Sequence, residues 1–222
     1  MIINMFYNNF VLNERSKIYL LYLMFIITGY LLGSILFGYL IPKIFKNVDT
    51  KKDSKDNNPG TANAFIQGGI ICGMCTLLLE LLKGFIPIFL AKNFVSTNHL
   101  LFSLIMISPV LGHAYPIYTK FRDGGKCIAV SFGSLLGLFP NIKLGVVLAF
   151  WLIFFSTIII FKPHVLRVLV SFLCFIITSL FIAESISIFI GCFMIVSLVI
   201  TRHLSTFKTM EGTEVRFAFK KR

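Results

Sequence analysis

The chain has 222 residues, 57% of them hydrophobic, with 25 Phe and only 14% charged. A soluble domain carries about 25% charged residues, so a mean hydropathy of +0.87 excludes both an ordinary globular protein and a disordered chain. Long uncharged runs also exclude a porin-like barrel, whose strands alternate. At about 20 residues per helical crossing, no room remains for a separate soluble domain of useful size.

Against that greasy background stand 21 Lys and Arg but only 9 Asp and Glu, a net charge of +12. In a soluble chain such an excess points to nucleic acid. In a membrane chain it points to topology, because cytoplasmic loops collect Lys and Arg, or to an anionic substrate or lipid headgroup. No nucleic-acid partner is expected. Four of the five Cys lie in apolar stretches as small hydrophobes, and the lone CxxC of Cys72 and Cys75 has no partner pair to make a metal or redox site.

Seven hydrophobic stretches follow in chain order, so the fold expected is an all-α integral membrane protein with seven transmembrane helices. The first, Ile18 to Pro42, is uncharged and long enough to span; residues 1–17 read as a short flexible or interfacial lead. It is too long for a signal-peptide core and lacks a small-residue cleavage site, so it reads as a retained helix. The second runs from about Ala62 to Leu90 and contains Glu80 and Lys83. Asn93 to Thr119, the short Cys127 to Pro140, Leu144 to Phe161, Val168 to Ala183 and Ser185 to Thr201 complete the set. Several lie near the lower limit of about 17 residues, which calls for tilted or partly embedded helices.

Alternate loops divide the charge unevenly. Residues 43–61, 120–126, 162–167 and 202–222 hold sixteen of the 21 cations, whereas the opposite set holds only Arg15, Lys17, Lys92 and Lys143. The positive-inside rule then puts the N-terminus outside and the C-terminus in the cytoplasm. The expected organisation is the lead, one transmembrane domain over 18–201 with motif loops at 43–63 and 119–127, and a basic cytoplasmic tail over 202–222.

The unusual polar residues fall on the cation-rich side. Asn58-Pro59-Gly60-Thr61-Ala62-Asn63 runs straight into the second stretch. Polar backbone entering a membrane needs protein or a cavity to satisfy it, and Asn63 is placed to cap a helix whose free N–H groups suit an anion. A solvated loop held by Asx turns is the alternative. Gly124-Gly125-Lys126 opens the fourth stretch with the ingredients of a phosphate loop, although it is not a Walker A sequence. A plain turn with a topology-setting Lys fits the same residues. His113 lies near the end of the third stretch, either as a packing residue or as a base. Ser34 lies within the first, bonded to its own helix or facing a site. Glu80 and Lys83, three apart on one helical face, form either an ion pair at a kink near Gly84 and Pro87 or part of a functional path. Neither an HxxxxD acyltransferase motif nor a G-x-S-x-G elbow occurs.

In chain order, G-S-I-L-F-G-Y-L, N-P-G-T-A-N, L-L-K-G-F-I-P, G-H-A-Y-P, F-R-D-G-G-K and R-H…E-G-T-E resemble the bacterial PlsY family, from Gly33 to Glu214. These are acyl-phosphate:glycerol-3-phosphate acyltransferases of the bacterial cytoplasmic membrane, with seven helices and an outside N-terminus. The resemblance implies transfer of an acyl group from acyl phosphate to the 1-hydroxyl of glycerol 3-phosphate, in contact with membrane lipids and without metal or cofactor. It marks Ser34 and His203 as catalytic, and Asn58, Gly60, Asn63, Gly124, Gly125 and Lys126 as substrate-binding. Lys51 or Lys52 stands where the family carries a phosphate-binding Arg, which a Lys replaces without the bidentate fork. Glu214 is implied to be structural; His113, Lys83, Glu80 and Thr206 are further candidates.

Departures mark a divergent branch or paralogue. The 43–63 loop and the 119–127 loop each carry one extra residue, Cys127 replaces a Gly, and Thr206 and Thr209 replace an Asn and an Arg. A catalytically degenerate membrane partner and an anion transporter are the competing functions. The second lacks support from any internal repeat.

Overall fold

The computed structural model of the chain describes residues 2–54, 58–207 and 214–217. In order these form α1 (Ile2–Gly33), α2 (Phe37–Lys46), α3 (Thr50–Asp53), α4 (Thr61–Ala91), α5 (Leu101–Ala114), α6 (Ile128–Leu136), α7 (Lys143–Thr157), β1 (Ile159–Lys162), α8 (His164–Ile182), α9 (Ile186–Phe207) and β2 (Glu214–Phe217). Among the described residues, five segments are long and apolar enough to cross a membrane: 13–46, 61–91, 101–119, 164–182 and 186–204. α7 is a shorter apolar helix. α6, at nine residues, reaches only about 14 Å, half of a ~30 Å hydrocarbon core.

α5 is the central helix. Two-thirds of its apolar window is buried, more than in any other span, and Phe102, Ile105, Met106 and Val110 are fully enclosed. It packs between α1 and α9, while α4 packs on α6 and α7 on α8. Small residues let these backbones approach: a Cβ on Gly33 would lie 2.1 Å from the Pro109 carbonyl oxygen, and one on Gly133 2.1 Å from that of Leu81. The outer faces are apolar, with Ile66, Ile70 and Ile71 each 77–78% exposed, as lipid-facing residues should be.

Three features differ from the sequence expectation. The Ile18 to Pro42 stretch is not one helix: α1 ends at Gly33, α2 begins at Phe37, and residues 2–17 are continuous with α1 instead of forming a separate lead. α4 departs from helical geometry at Gly69 (φ 82°, ψ −179°), not at Gly84 and Pro87. That φ suits only glycine, whereas Gly84 serves close packing, since its Cβ would sit 2.4 Å from the Val130 carbonyl oxygen. Among the described residues the fold is helical apart from one antiparallel ribbon, β1 with β2, in register from Ile159↔Phe217 to Lys162↔Glu214. Within the expected Leu144 to Phe161 span, the helix therefore stops at Thr157 and the chain continues as strand.

Candidate active site

The break between α1 and α2 leaves backbone groups that a membrane interior cannot solvate. Two side chains from α4 satisfy them. Glu80 Oε1 accepts from the Phe37 N–H at 3.1 Å, and Lys83 Nζ donates to the Ile35 carbonyl at 2.6 Å. The expected pair forms, with Lys83 Nζ 2.7 Å from Glu80 Oε2. His113 joins it: its Nδ1 lies 3.1 Å from Glu80 Oε2 and 2.9 Å from Lys83 Nζ. All three side chains are buried. A buried ion pair is stable only when its remaining hydrogen-bonding groups are also satisfied, and here the broken helix supplies partners. The pair is thus a brace for a discontinuous span.

Ser34 is the last link of the same break. Its Oγ donates to the Tyr30 carbonyl at 2.8 Å and accepts from the Ile117 N–H at 3.4 Å. The back-bond to its own helix turns out to be accompanied by a tie to the 3-10 turn Ile117–Thr119, where the second motif loop starts.

In the first motif loop, Asp49 caps α3 by accepting from the N–H groups of Lys51 (3.1 Å) and Lys52 (3.3 Å). This directs Lys51 toward the second loop, 3.5 Å from Asp123 Oδ2, with its ammonium 4.8 Å from the Tyr39 ring centre. Lys52 is exposed. Asn63 does not cap α4. Gly60 occupies that position without a side-chain bond, and Asn63 Nδ2 instead donates to the Asn58 carbonyl at 2.7 Å, closing the turn.

The second motif loop is held from two sides. Gly125 donates its N–H to the His113 carbonyl at 3.0 Å, so this group is already committed. Arg202 at the end of α9 donates from Nη2 to the Gly124 carbonyl at 2.5 Å and from Nε to the Gly125 carbonyl at 3.3 Å, with its guanidinium stacked over Tyr115. Neither glycine has positive φ. Their need is for room: a Cβ on Gly124 would lie 1.9 Å from the Ala114 carbonyl oxygen, and one on Gly125 2.0 Å from His113 Nε2. Thr119 Oγ1 donates to the Arg122 carbonyl, tightening the turn before them.

These parts enclose a cavity of about 330 Å³, within the ~300–1,000 Å³ range of small-molecule sites. Its polar wall has Asn58, Gly60, Asn63, Lys126 and His164, with His113 and Glu80 deeper; Leu77, Leu81, Ile128 and Phe132 give an apolar side. The remaining expected residues lie around it. Lys83 pairs with Glu80 and lies against His113, Ser34 is tied to Ile117, and Gly124 and Gly125 pack against the end of α5 just before Lys126. His203 is fully buried one residue beyond Arg202, its Nδ1 2.8 Å from the Val199 carbonyl oxygen. Lys51 pairs with Asp123 of the second motif loop, neither of them among the cavity-lining residues, and Lys52 is exposed. The side chains of Thr206 and Glu214 lie outside the described residues, although the Glu214 backbone pairs with Lys162.

Three residues escaped the sequence reading. Arg202 stood beside His203 in a quoted motif, and an Arg closing an uncharged span facing a Gly-Gly loop was the available signal. Asp123 was visible as the one acid in a basic loop. His164, after Pro163 at the start of a helix, gave no local signal at all.

Comparisons agree on one family. A family model described as glycerol-3-phosphate acyltransferase matches residues 23–211. A glycerol-3-phosphate acyltransferase of Thermotoga petrophila is 45% identical over 115 residues, 52% of this chain and 57% of that protein, so the match spans little more than half of that relative. One from Macrococcus caseolyticus is 33% identical over 198 residues, 88% of this chain and 97% of that protein. The crystal structure of PlsY, an integral membrane glycerol 3-phosphate acyltransferase, in its glycerol 3-phosphate form superposes with a TM-score of 0.73 at 26% identity, covering 84% of this chain and 90% of that one. With a family match over residues 23–211, and relatives of the same name matched along nearly their whole length, the chain belongs to the PlsY glycerol-3-phosphate acyltransferase family.

Proposed function

We propose that this protein transfers an acyl group from acyl phosphate to the 1-hydroxyl of glycerol 3-phosphate, giving lysophosphatidate and inorganic phosphate for phospholipid synthesis. The single observation that carries this reading is the cavity in which Lys126, Asn58 and Asn63 meet beside an apolar wall. A cation and amide groups suit a phosphorylated polyol, and the apolar wall suits an acyl chain. The hydroxyl oxygen attacks the acyl carbon, the new ester C–O bond forms, and the C–O bond to phosphate breaks. The electron pair leaves with phosphate, a good leaving group, so no covalent enzyme intermediate is required. The departing phosphate takes the hydroxyl proton. Holding the two substrates in register supplies much of the rate, and Lys126 offsets the charge that builds on oxygen. Ser34, His203, Gly124 and Gly125 act by holding this arrangement, with Gly60 turning the chain into α4.

We read the site as facing the cytoplasm of a bacterial cell membrane, with seven crossings, one domain over 18–201 and the N-terminus outside. Support comes from the cation-rich loops: the segments around Lys51, Lys126, His164 and Arg202 converge at one end of the bundle. At the other end Tyr22 donates to the Ser96 carbonyl and Ser187 to that of His99, which brings together the cation-poor side.

Detergent-purified protein given acyl phosphate and glycerol 3-phosphate should form lysophosphatidate, and Lys126→Ala should remove most of it. Absence of product from folded, monodisperse protein would overturn the reading in favour of a non-catalytic membrane partner. For topology, a cysteine in the Ser54 loop at the exposed Lys52 (Lys52→Cys) should be labelled only from inside and Glu184→Cys from outside; labelling of both from outside excludes seven crossings.

A further inference from the structure

The second motif loop lacks a backbone donor where its glycines would be expected to supply one. Gly125 donates its N–H to the His113 carbonyl oxygen at 3.0 Å. The His113 ring, from the last turn of α5, stands in that place instead. A Cβ on Gly125 would lie 2.0 Å from His113 Nε2, so this nitrogen rests against Gly125, one residue before Lys126. The His113 side chain is only 5% exposed, and it lines the cavity together with Lys126 and Cys127.

The two ring nitrogens have different surroundings. Nδ1 faces the brace, 2.9 Å from Lys83 Nζ and 3.1 Å from Glu80 Oε2. Lys83 has three N–H hydrogens and three acceptors for them: the Ile35 carbonyl at 2.6 Å, Glu80 Oε2 at 2.7 Å, and Nδ1. A proton on Nδ1 would set N–H against N–H and leave the buried ammonium one acceptor short. A doubly protonated ring would place a second cation beside Lys83, with Arg202 of α9 acting on it as well. Glu80 needs no proton from the ring, since Oε1 accepts from the Phe37 N–H and Oε2 faces Lys83. Hydrogen-bond counting therefore assigns the neutral tautomer that carries its proton on Nε2. Among the described residues the ring's hydrogen bond is the one at Nδ1. The brace takes that edge, and the edge left for the cavity is the one bearing Nε2–H.

We propose that His113 is a neutral hydrogen-bond donor of this site: Lys83 fixes its tautomer, and Nε2–H donates to a phosphate oxygen of substrate bound beside Lys126. The inference rests on the function proposed above, which brings phosphate groups into the cavity. A bond from N–H to an anionic oxygen is short and directional. Lys126 supplies charge, the ring supplies direction, and Gly125 lacks a side chain so that Nε2 can come this close. The ring keeps its proton throughout, which leaves the departing phosphate to take the proton of the hydroxyl.

The test uses the full-length protein in a phospholipid-free sugar detergent, as wild type, His113→Gln and His113→Asn. Gln keeps an N–H near the position of Nε2, whereas Asn keeps only an acceptor near Nδ1 for Lys83. His113→Asn is expected to raise KM about tenfold for the substrate whose phosphate is held there, with His113→Gln within about threefold of wild type. Whether the rise falls on glycerol 3-phosphate or on acyl phosphate identifies that phosphate. Equal effects of the two variants, the reverse order, or unchanged KM values for both substrates overturn the proposal. Heteronuclear NMR spectra of histidine-labelled wild type, with the His113 signals identified by their loss in either variant, read the tautomer directly. A neutral ring protonated at Nε2 is expected from about pH 6 to about pH 8, with Glu80, Lys83 and Arg202 as the charged groups acting on it. A proton on Nδ1, or titration of the ring within that range, overturns the assignment. If the wild type makes no lysophosphatidate, the proposed function fails, and the spectra alone decide the donor. A shift of the His113 Nε2 signal on adding inorganic phosphate then upholds it, and an unmoved signal overturns it.

Discussion

Arg202 Nη2 donates to the Gly124 carbonyl at 2.5 Å, across 78 residues of chain. This bond, with the one from Nε to Gly125, ties the end of α9 to the loop that presents Lys126 to the cavity. Charged donors to a carbonyl contribute about 1.5–3 kcal/mol each. Arg202→Ala is therefore expected to lower kcat/KM by about 10–100-fold, with Arg202→Lys intermediate because it lacks the fork. Steady-state kinetics with both substrates check this, and an Arg202→Ala enzyme with wild-type constants would remove the loop-holding role.

The two loop glycines should differ when given a methyl group. At Gly124 the obstacle is the backbone oxygen of Ala114, which cannot turn aside. At Gly125 it is the His113 ring, a side chain. Overpacking costs about 1–3 kcal/mol, and Gly124→Ala is expected at or above the top of that range, Gly125→Ala below it. Thermal unfolding in detergent should rank Gly124→Ala as the less stable. The reverse order would mean that the His113 ring is the more rigid neighbour.

Glu80 and Lys83 should behave as one unit. Removing either partner alone leaves a buried charge, which costs about 3–5 kcal/mol. Glu80→Gln and Lys83→Met are expected to be strongly destabilising singly, and the double variant less so than the two effects added. A double-mutant cycle measured by unfolding reads this coupling. Strict additivity would show that each side chain acts only on its own backbone partner at Phe37 or Ile35.

Of the two lysines on α3, only Lys51 faces the second motif loop. Lys51→Ala should raise KM for glycerol 3-phosphate severalfold, by loss of an interaction of about 1 kcal/mol at a partly exposed site. Lys52→Ala should be neutral. Kinetics of the two single variants distinguish them, and equal effects would mean that bulk charge, not position, matters.

Much of the membrane architecture was legible in the residues themselves. Charge cannot enter hydrocarbon cheaply, so the uncharged stretches pointed to an apolar helical bundle, and among the described residues five segments are long and apolar enough to cross a membrane. The Glu80–Lys83 pair was legible for the same reason, being three residues apart on one face. The order of the motifs pointed to the family, and Asn58, Gly60, Asn63 and Lys126 from two of those motifs line one cavity.

The tertiary structure alone decided where those residues sit and what they touch. No local pattern in Ile18 to Pro42 distinguishes an unbroken helix from one that stops at Gly33, since the polar groups released there are satisfied by Glu80 and Lys83, 43 and 48 residues away. The glycines of the second loop looked like anion-binding backbone, but Gly125 spends its N–H on His113 and both glycines are needed for close contact with α5. His164 joins the cavity because the chain enters α8 beside Lys126, not because of any motif around it. Hydropathy and charge act on each segment separately, so the sequence by itself determined the membrane class, the approximate place of the apolar helices and the family. Hydrogen bonds and close packing require partners brought together by the fold, so the break, the brace and the walls of the site were decided only there.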